Sequence, residues 1–320
     1  MASPSVQNAQ AALNKKTLRR STLLADLIRD KYLYLLALPG LLYLLIFKYI
    51  PIGGLVIAFQ NYSPYMGMWN SEWVGLEHFQ RLFAEEEFWM LFRNTMAISL
   101  LNLLFFFPFP ILLSLLLNEL RSMLFKRIVQ TIIYLPHFLS WVIIIGLTFL
   151  MMSQSEGLIN KIIQSAGGEA VPFLTNPDYF WILLTLQSMW KEAGWGTIIF
   201  LAAMAAVDPQ LYEAARVDGA GRLRQAWHIT LPAIRNVIAI LLILRLGHVM
   251  DVGFEQIYLM MNGAVADVAD VFDTYVYRKG IQQGEFSYST AVGLFKSIVG
   301  FILVLLANKA AKRLGEEGVF

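Results

Sequence analysis

Six runs of mostly apolar residues account for much of this chain, at about 33 to 59, 94 to 117, 129 to 151, 180 to 204, 231 to 252 and 288 to 308. A bilayer core about 30 Å thick is crossed by an α-helix of ~20 apolar residues, so each run is long enough to span it. The expected fold class is therefore all-α integral membrane, with six transmembrane helices. Composition agrees, since 57% of the residues are hydrophobic and 15% charged, against about 25% charged in soluble domains. The first run follows a basic arm, is long and lacks a small-residue cleavage site, which reads as an uncleaved anchor. A net charge of +2 gives no reason to expect nucleic acid as a partner, and the absence of cysteine removes disulfides, thiolate metal sites and cysteine nucleophiles.

Lysine and arginine are distributed unevenly between the runs. Lys15, Lys16, Arg19, Arg20, Arg29 and Lys31 precede the first run, and Arg121, Lys126 and Arg127 follow the second. Arg216, Arg222 and Arg224 follow the fourth, while Lys309, Lys312 and Arg313 close the chain. The alternate segments hold only Arg81, Arg93, Lys161, Arg278 and Lys279, so the balance is fifteen to five. By the positive-inside rule both termini and the 208–230 loop are expected on the cytoplasmic side. The expected organisation is a basic arm 1–31, a membrane domain 32–308 and a cytoplasmic tail 309–320.

The polar 208–230 loop carries the most specific local pattern. Asp208 before Pro209 has the form of an N-cap and first helical residue. A helix through Glu213, Ala214, Ala215 and Val217 is expected to stop at Gly219, because glycine reaches positive φ without steric cost. A second short helix through Arg222, Arg224 and Trp227 follows, with Thr230 and Pro232 expected to cap and open the next apolar run. Small Ala214 and Ala215 permit close backbone approach, and apolar Leu211 and Val217 sit among charges, as suits a docking surface.

Glu213, Ala214, Ala215, Asp218, Gly219, Ala220, Ile229, Leu231 and Pro232 together resemble the cytoplasmic signature loop of permease subunits in ATP-binding-cassette importers. The opening Lys31-Tyr-Leu-Tyr-Leu-Leu-Ala-Leu-Pro-Gly and the later Trp73-Val-Gly-Leu-Glu-His-Phe are similar to the oligosaccharide and polysaccharide branch, and most of all to its alginate-importing members. The resemblance implies a type I importer permease fold whose signature loop docks on an ATPase. It further implies a second homologous permease, two ATPase subunits that hold ATP and Mg, a periplasmic solute-binding protein, and alternating access. An importer of neutral oligosaccharides is the nearest alternative, and an ATPase-independent carrier or channel a more distant one.

Ionisable residues within apolar runs are costly unless paired or facing a watery cavity. Lys48, Lys191, Glu192, Arg245, Asp251 and Lys296 are the candidates. Arg245 is either half of a buried pair or a cavity-facing cation whose planar fork suits a carboxylate. Gln187, Trp190, Lys191, Glu192 and Trp195 combine aromatic faces, an amide and charges as sugar rings require, although the tryptophans also suit membrane-interface anchoring. Asn94 and Asn102 fit either solute contact or hydrogen bonding between helices. The expected solute path is thus Arg245, Gln187, Trp190, Lys191, Asn102 and Asp251.

No phosphate-binding Gly-x-x-x-x-Gly-Lys-Ser/Thr loop occurs, so ATP has no visible seat on this chain, which is not expected to be an enzyme or to bind a cofactor directly. His78, His137, His228 and His248 show no metal-ligand spacing, and no metal is expected. The outward segment 60–93 carries Glu72, Glu77, Glu85, Glu86 and Glu87 with Trp69, Trp73 and Trp89, which suit interface anchoring or an external partner.

Overall fold

The computed structural model describes residues 30–313 together with Gly315 and Gly318. Lys15, Lys16, Arg19, Arg20 and Arg29 of the basic arm lie outside the described residues, as does most of the tail beyond Arg313. The chain divides into two units, residues 1–56 and 57–320. In the first, the helix Lys31–Leu44 continues through a π segment, Leu45–Tyr49, and a further turn, Ile50–Ile52. None of its side chains in these elements is buried, and Lys48 is among the exposed ones.

The second unit is helical apart from a two-residue antiparallel pair, Gln60 with Trp73 and Asn61 with Glu72. Two of the expected runs in it are straightforward: Glu87–Asn118 and Phe286–Arg313 are each long and apolar enough to cross a membrane. The fourth run is a 29-residue helix, Pro177–Ala205, started by Asn176, whose side chain accepts from the Asp178 backbone N–H at 3.0 Å. It contacts Glu87–Leu101, Pro108–Asn118 and Met123–Tyr134, which makes it the central helix of the unit.

The third and fifth runs depart from expectation. Residues 129–151 do not form one helix: Met123–Phe138 and Trp141–Met152 meet at 103°, with Ser140 capping the second through the Ile143 N–H. The fifth run bends by 62° between Arg222–Ala233 and Arg235–Gly247, and its helix ends at Gly247 rather than near 252. Among the described residues, three helices could cross a membrane alone, or six spans result if each bent pair counts as one.

Proline placement accounts for part of this. A proline inside a helix has no N–H, and its ring presses on the carbonyl four residues back. The π segments Leu45–Tyr49, Asn102–Phe106 and Ala226–Thr230 each lie just before a proline, Pro51, Pro108 and Pro232 respectively. In each case the crowded carbonyl, at residue 47, 104 or 228, falls within the widened turn, which relieves the clash without ending the helix. Pro232 accordingly rides inside a continuous helix instead of opening one, and Thr230 makes no side-chain cap. The break comes at Ile234.

Three apolar clusters hold the unit together. Ile98, Ile145, Phe180, Leu184 and Ile257 anchor one, Leu82, Phe88, Leu91, Tyr275 and Tyr288 the second, and Phe200, Met204 and Ile234 the third. The connection after Gly247 is more ordered than its sequence suggests, with short helices Phe254–Met260, Ala266–Ala269 and Phe272–Tyr277 in the core. Buried Asn94 ties this connection to the second run by donating to the carbonyls of Asp267 and Asp270 at 2.9 and 2.8 Å.

Candidate solute path and coupling loop

The helix Pro209–Val217 begins as its sequence predicts, with the Asp208 carboxylate accepting from the Gln210 N–H at 2.9 Å. Gly219 has φ of 73°, and the chain reverses there while the Ala220 N–H returns to the Ala215 carbonyl at 2.8 Å. The next helix, Arg222–Gln225, is tied back by Gln225 to the Ala220 carbonyl, and a Tyr212 to Thr230 hydroxyl bond at 2.9 Å joins the two arms. Leu211, Val217, Leu223 and Trp227 are all exposed, an apolar surface with no cover of its own. Glu213, Ala214, Asp218 and Gly219 are exposed beside them. Ala215, Asp218 and Ala220 line a recess of ≈ 300 Å³ with Arg224 and His228. Leu231 instead packs toward the Phe200 cluster, and Pro232 stands in the helix that links the loop to the fifth run.

A second cavity, of ≈ 330 Å³, lies where four interrupted elements meet. Asn102 and Phe106 come from the π segment of the second run, Trp141 from the first turn after the break of the third, and Arg245 from the last turn of Arg235–Gly247. Asp251, Gly253 and Gln256 come from the connection that follows. The central helix contributes Ser188, Glu192 and Trp195, spaced i, i+4 and i+7 on one face.

Arg245 is half-buried, with its guanidinium 5.1 Å from the centre of the Phe106 ring. Among the described residues no carboxylate lies within ion-pair distance of it, and Glu192 is the acid whose field reaches it. Its place in a helix's last turn is favourable, because the helix C-terminus carries partial negative charge. Asn102 is buried, and its Oδ1 has no hydrogen-bond partner among the described residues. Asp251 is paired, with the Lys296 ammonium at 2.8 Å and His248 at 3.4 Å. Lys296 also bonds Asp273, so one buried cation serves two carboxylates.

Three sequence-predicted path residues are placed elsewhere. Gln187 donates to Thr148 and accepts from Gln256, each at 2.9 Å, inside the protein. Trp190 points to an outer apolar recess with Leu147 and Leu186. The Lys191 ammonium is buried and donates to the carbonyls of His137 and Leu139 at 2.8 and 2.7 Å. Asn102, Arg245 and Asp251, by contrast, share the cavity. Trp141, Ser188 and Gln256 escaped the sequence reading; the polar spacing of Ser188, Glu192 and Trp195 was the available signal.

In the segment between the first two apolar runs, Glu85 is not a free surface acid. It accepts from Arg81 at 2.9 Å and from the Tyr288 hydroxyl at 2.8 Å, and also from Tyr275. Burial pushes its carboxyl up, but the hydrogen bonds from Tyr275, Tyr288 and Arg81 hold it below the ordinary carboxylate value.

The described residues thus combine several long apolar helices with an exposed helix-turn-helix loop and an interior polar cavity. Residues 107–315 match the family of binding-protein-dependent transport system inner membrane components, and the chain belongs to that family, as a permease of an ATP-binding-cassette importer. It is 59% identical to the polygalacturonan/rhamnogalacturonan transport system permease protein YteP of Bacillus subtilis (strain 168), over 94% of each chain. It is 27% identical to the arabinooligosaccharides transport system permease protein AraP of the same organism, over 89% of this chain and 90% of that one. A chain of a bacterial alginate ABC transporter, crystallised in complex with alginate pentasaccharide-bound periplasmic protein, superposes with a TM-score of 0.86 at 42% identity, covering 93% of this chain and all of that one.

Proposed function

We propose that this chain is one half of a heterodimeric pore that imports acidic oligosaccharides, uronates of the alginate or polygalacturonate kind, by alternating access. The single observation carrying the acidic reading is Arg245, a half-buried guanidinium without an ion-pair partner among the described residues, on a cavity flanked by Trp141 and Trp195. A sugar ring stacks its C–H face on an indole while the planar fork of arginine takes a carboxylate through paired hydrogen bonds. The relatives named for polygalacturonan and alginate transport support the same substrate class. A neutral oligosaccharide is the second reading, supported by Glu192 and Asp251, whose carboxylates on the same cavity suit hydroxyl donors.

In this reading the chain crosses the membrane six times, once for each apolar run, so that the basic segments, both termini and the 208–230 loop among them, lie in the cytoplasm. Two ATPase subunits hold ATP and Mg, and their closure drives the exposed surface around Glu213, Ala214, Ala215, Asp218, Gly219 and Ala220. Leu231 and Pro232 carry that motion into the fifth run. A loaded periplasmic binding protein delivers the solute, and no covalent chemistry occurs on this chain.

Arg245→Ala tests the substrate class. A charge-assisted hydrogen bond contributes about 1.5 to 3 kcal/mol, so affinity for an acidic oligosaccharide should fall roughly ten- to a hundredfold, while a neutral one of equal length is little affected. Competition measurements on the reconstituted complex decide it, and equal losses for the two solutes would refute the carboxylate contact.

A further inference from the structure

We propose that His137 is a positioning residue for solute recognition, the fixed back wall against which Trp195 presents its indole to the cavity. The proposal rests on the reading above that the cavity takes sugar rings. The His137 imidazole lies parallel to the Trp195 indole, with 4.8 Å between ring centres and 10° between planes. Its Nδ1 is 2.8 Å from Glu192 Oε2; a carboxylate can only accept, so Nδ1 carries the hydrogen. That bond fixes the plane of the imidazole ring. Trp195 remains half-exposed, and Trp195 and Glu192 both line the cavity.

What holds His137 there is a grip by one turn of the central helix on the broken third run. His137 lies in the tight turn Leu135–Phe138 that ends the first of two helices set at 103°, where backbone carbonyls lose their helical partners. Buried Lys191 satisfies two of them, those of His137 and Leu139. Three residues on, Gly194 meets the same run backbone to backbone: a Cβ there would stand 2.2 Å from the Ile133 carbonyl oxygen. Ala193 between them is buried as well. Lys191, Glu192, Gly194 and Trp195 thus each touch the segment 133–139 through a different chemistry: ammonium to carbonyl, carboxylate to imidazole, bare backbone to backbone, ring to ring.

This arrangement separates two jobs. Lys191 and Gly194 fix the backbone of the break, whereas His137 and Glu192 fix only the orientation of an indole at the cavity wall. An indole already locked in its bound orientation loses less freedom when a ring stacks on it, which is the gain from preorganisation. His137 should therefore govern solute affinity without touching solute.

The test uses the assembled complex in nanodiscs without binding protein, titrated by calorimetry with a uronate trisaccharide and a neutral trisaccharide. His137→Ala should weaken both about threefold to tenfold, the range of one aromatic pair. ATP hydrolysis stimulated by saturating loaded binding protein should stay near wild type, which a merely structural loss would not allow. Trp195→Ala should weaken both at least as much, and the double variant should be no worse than Trp195→Ala alone, since His137 acts only through that indole. His137→Phe keeps a stacking ring but loses the bond to Glu192, so its affinity should fall between those of wild type and His137→Ala; it also serves where the alanine variant fails to assemble. Unchanged binding in His137→Ala, independent losses in the double variant, or a phenylalanine variant as weak as alanine would each overturn the positioning role and leave the sugar cavity standing. If Trp195→Ala binds both trisaccharides normally, the cavity reading and the positioning role fall together.

Discussion

Replacing Lys296 with methionine should destabilise the protein more than any other single charge removal within its apolar runs, and the size of the loss can be worked from its two partners. The Lys296 ammonium, on the helix Phe286–Arg313, is bonded to Asp251 at 2.8 Å and to Asp273, with only 10% of its side chain exposed. Asp251 is 57% exposed, so water can solvate its carboxylate once the lysine is gone, and that half of the loss should stay under about 1 kcal/mol. Asp273 is 18% exposed, and its other bond is a long one from the Val252 N–H at 3.3 Å. Removing one partner of a buried pair leaves an uncompensated charge at a cost of about 3–5 kcal/mol. The total should lower the melting temperature of the detergent-solubilised complex by roughly 10 °C. Lys296→Met with Asp273→Asn should recover most of that loss, because no buried charge remains, whereas Lys296→Met with Asp251→Asn should recover little. A single variant melting within about 2 °C of wild type, or rescue by the Asp251 change instead of the Asp273 change, would refute this division of the network.

Glu85 predicts a pH dependence. Its folded carboxyl is held below the unfolded value, so the stability it contributes is present above the unfolded value and is lost as pH falls through the folded one; Glu85→Gln should flatten the acid limb of a melting-temperature against pH curve, and an unaltered limb would exclude the network. At Gly219 the φ of 73° excludes a β-branched residue, so Gly219→Val should lower both transport and stimulated ATP hydrolysis in a correctly assembled complex, and normal values of both would remove that turn from the coupling.

The residues that announced themselves in the sequence did so through local chemistry. Asp208, Pro209 and Gly219 start and stop a helix by rules that act within one turn, and the structure follows them closely. Apolar length found the runs, but a hydropathy window of ~19 residues averages over a short break, and the proline, histidine and serine of Pro136-His-Phe-Leu-Ser140 are outweighed by the strongly apolar flanks. That blindness explains Lys191. An ionisable residue in an apolar helix invites the reading of a solute contact, yet here the charge meets carbonyls exposed by a break on another helix. Likewise the bonds from Lys296 to Asp251 and Asp273 join residues 45 and 23 positions apart in the chain, which no spacing rule connects.

The cavity and the helix breaks have one physical cause. In hydrocarbon an unpaired N–H or C=O costs several kcal/mol, so irregular backbone at membrane depth is tolerated only where protein covers it or a watery cavity does. Asn102 opens a π segment, Trp141 follows the 103° break, Arg245 stands in the last turn of a helix, and Gly253, at φ of 99°, lies in the turn before the next. All four line the same space. A straight six-helix packing would seal this region with apolar side chains, leaving no polar wall for a hydroxylated solute. The interruptions bring an amide, a guanidinium and the Asp251 carboxylate to one place; Phe106 lies beside Arg245 on the same wall, while Lys191 behind the break and Lys296 behind Asp251 act from outside the cavity. Polarity inside this membrane protein is therefore organised from behind, and variants of the supporting residues should alter solute handling as surely as variants of the wall.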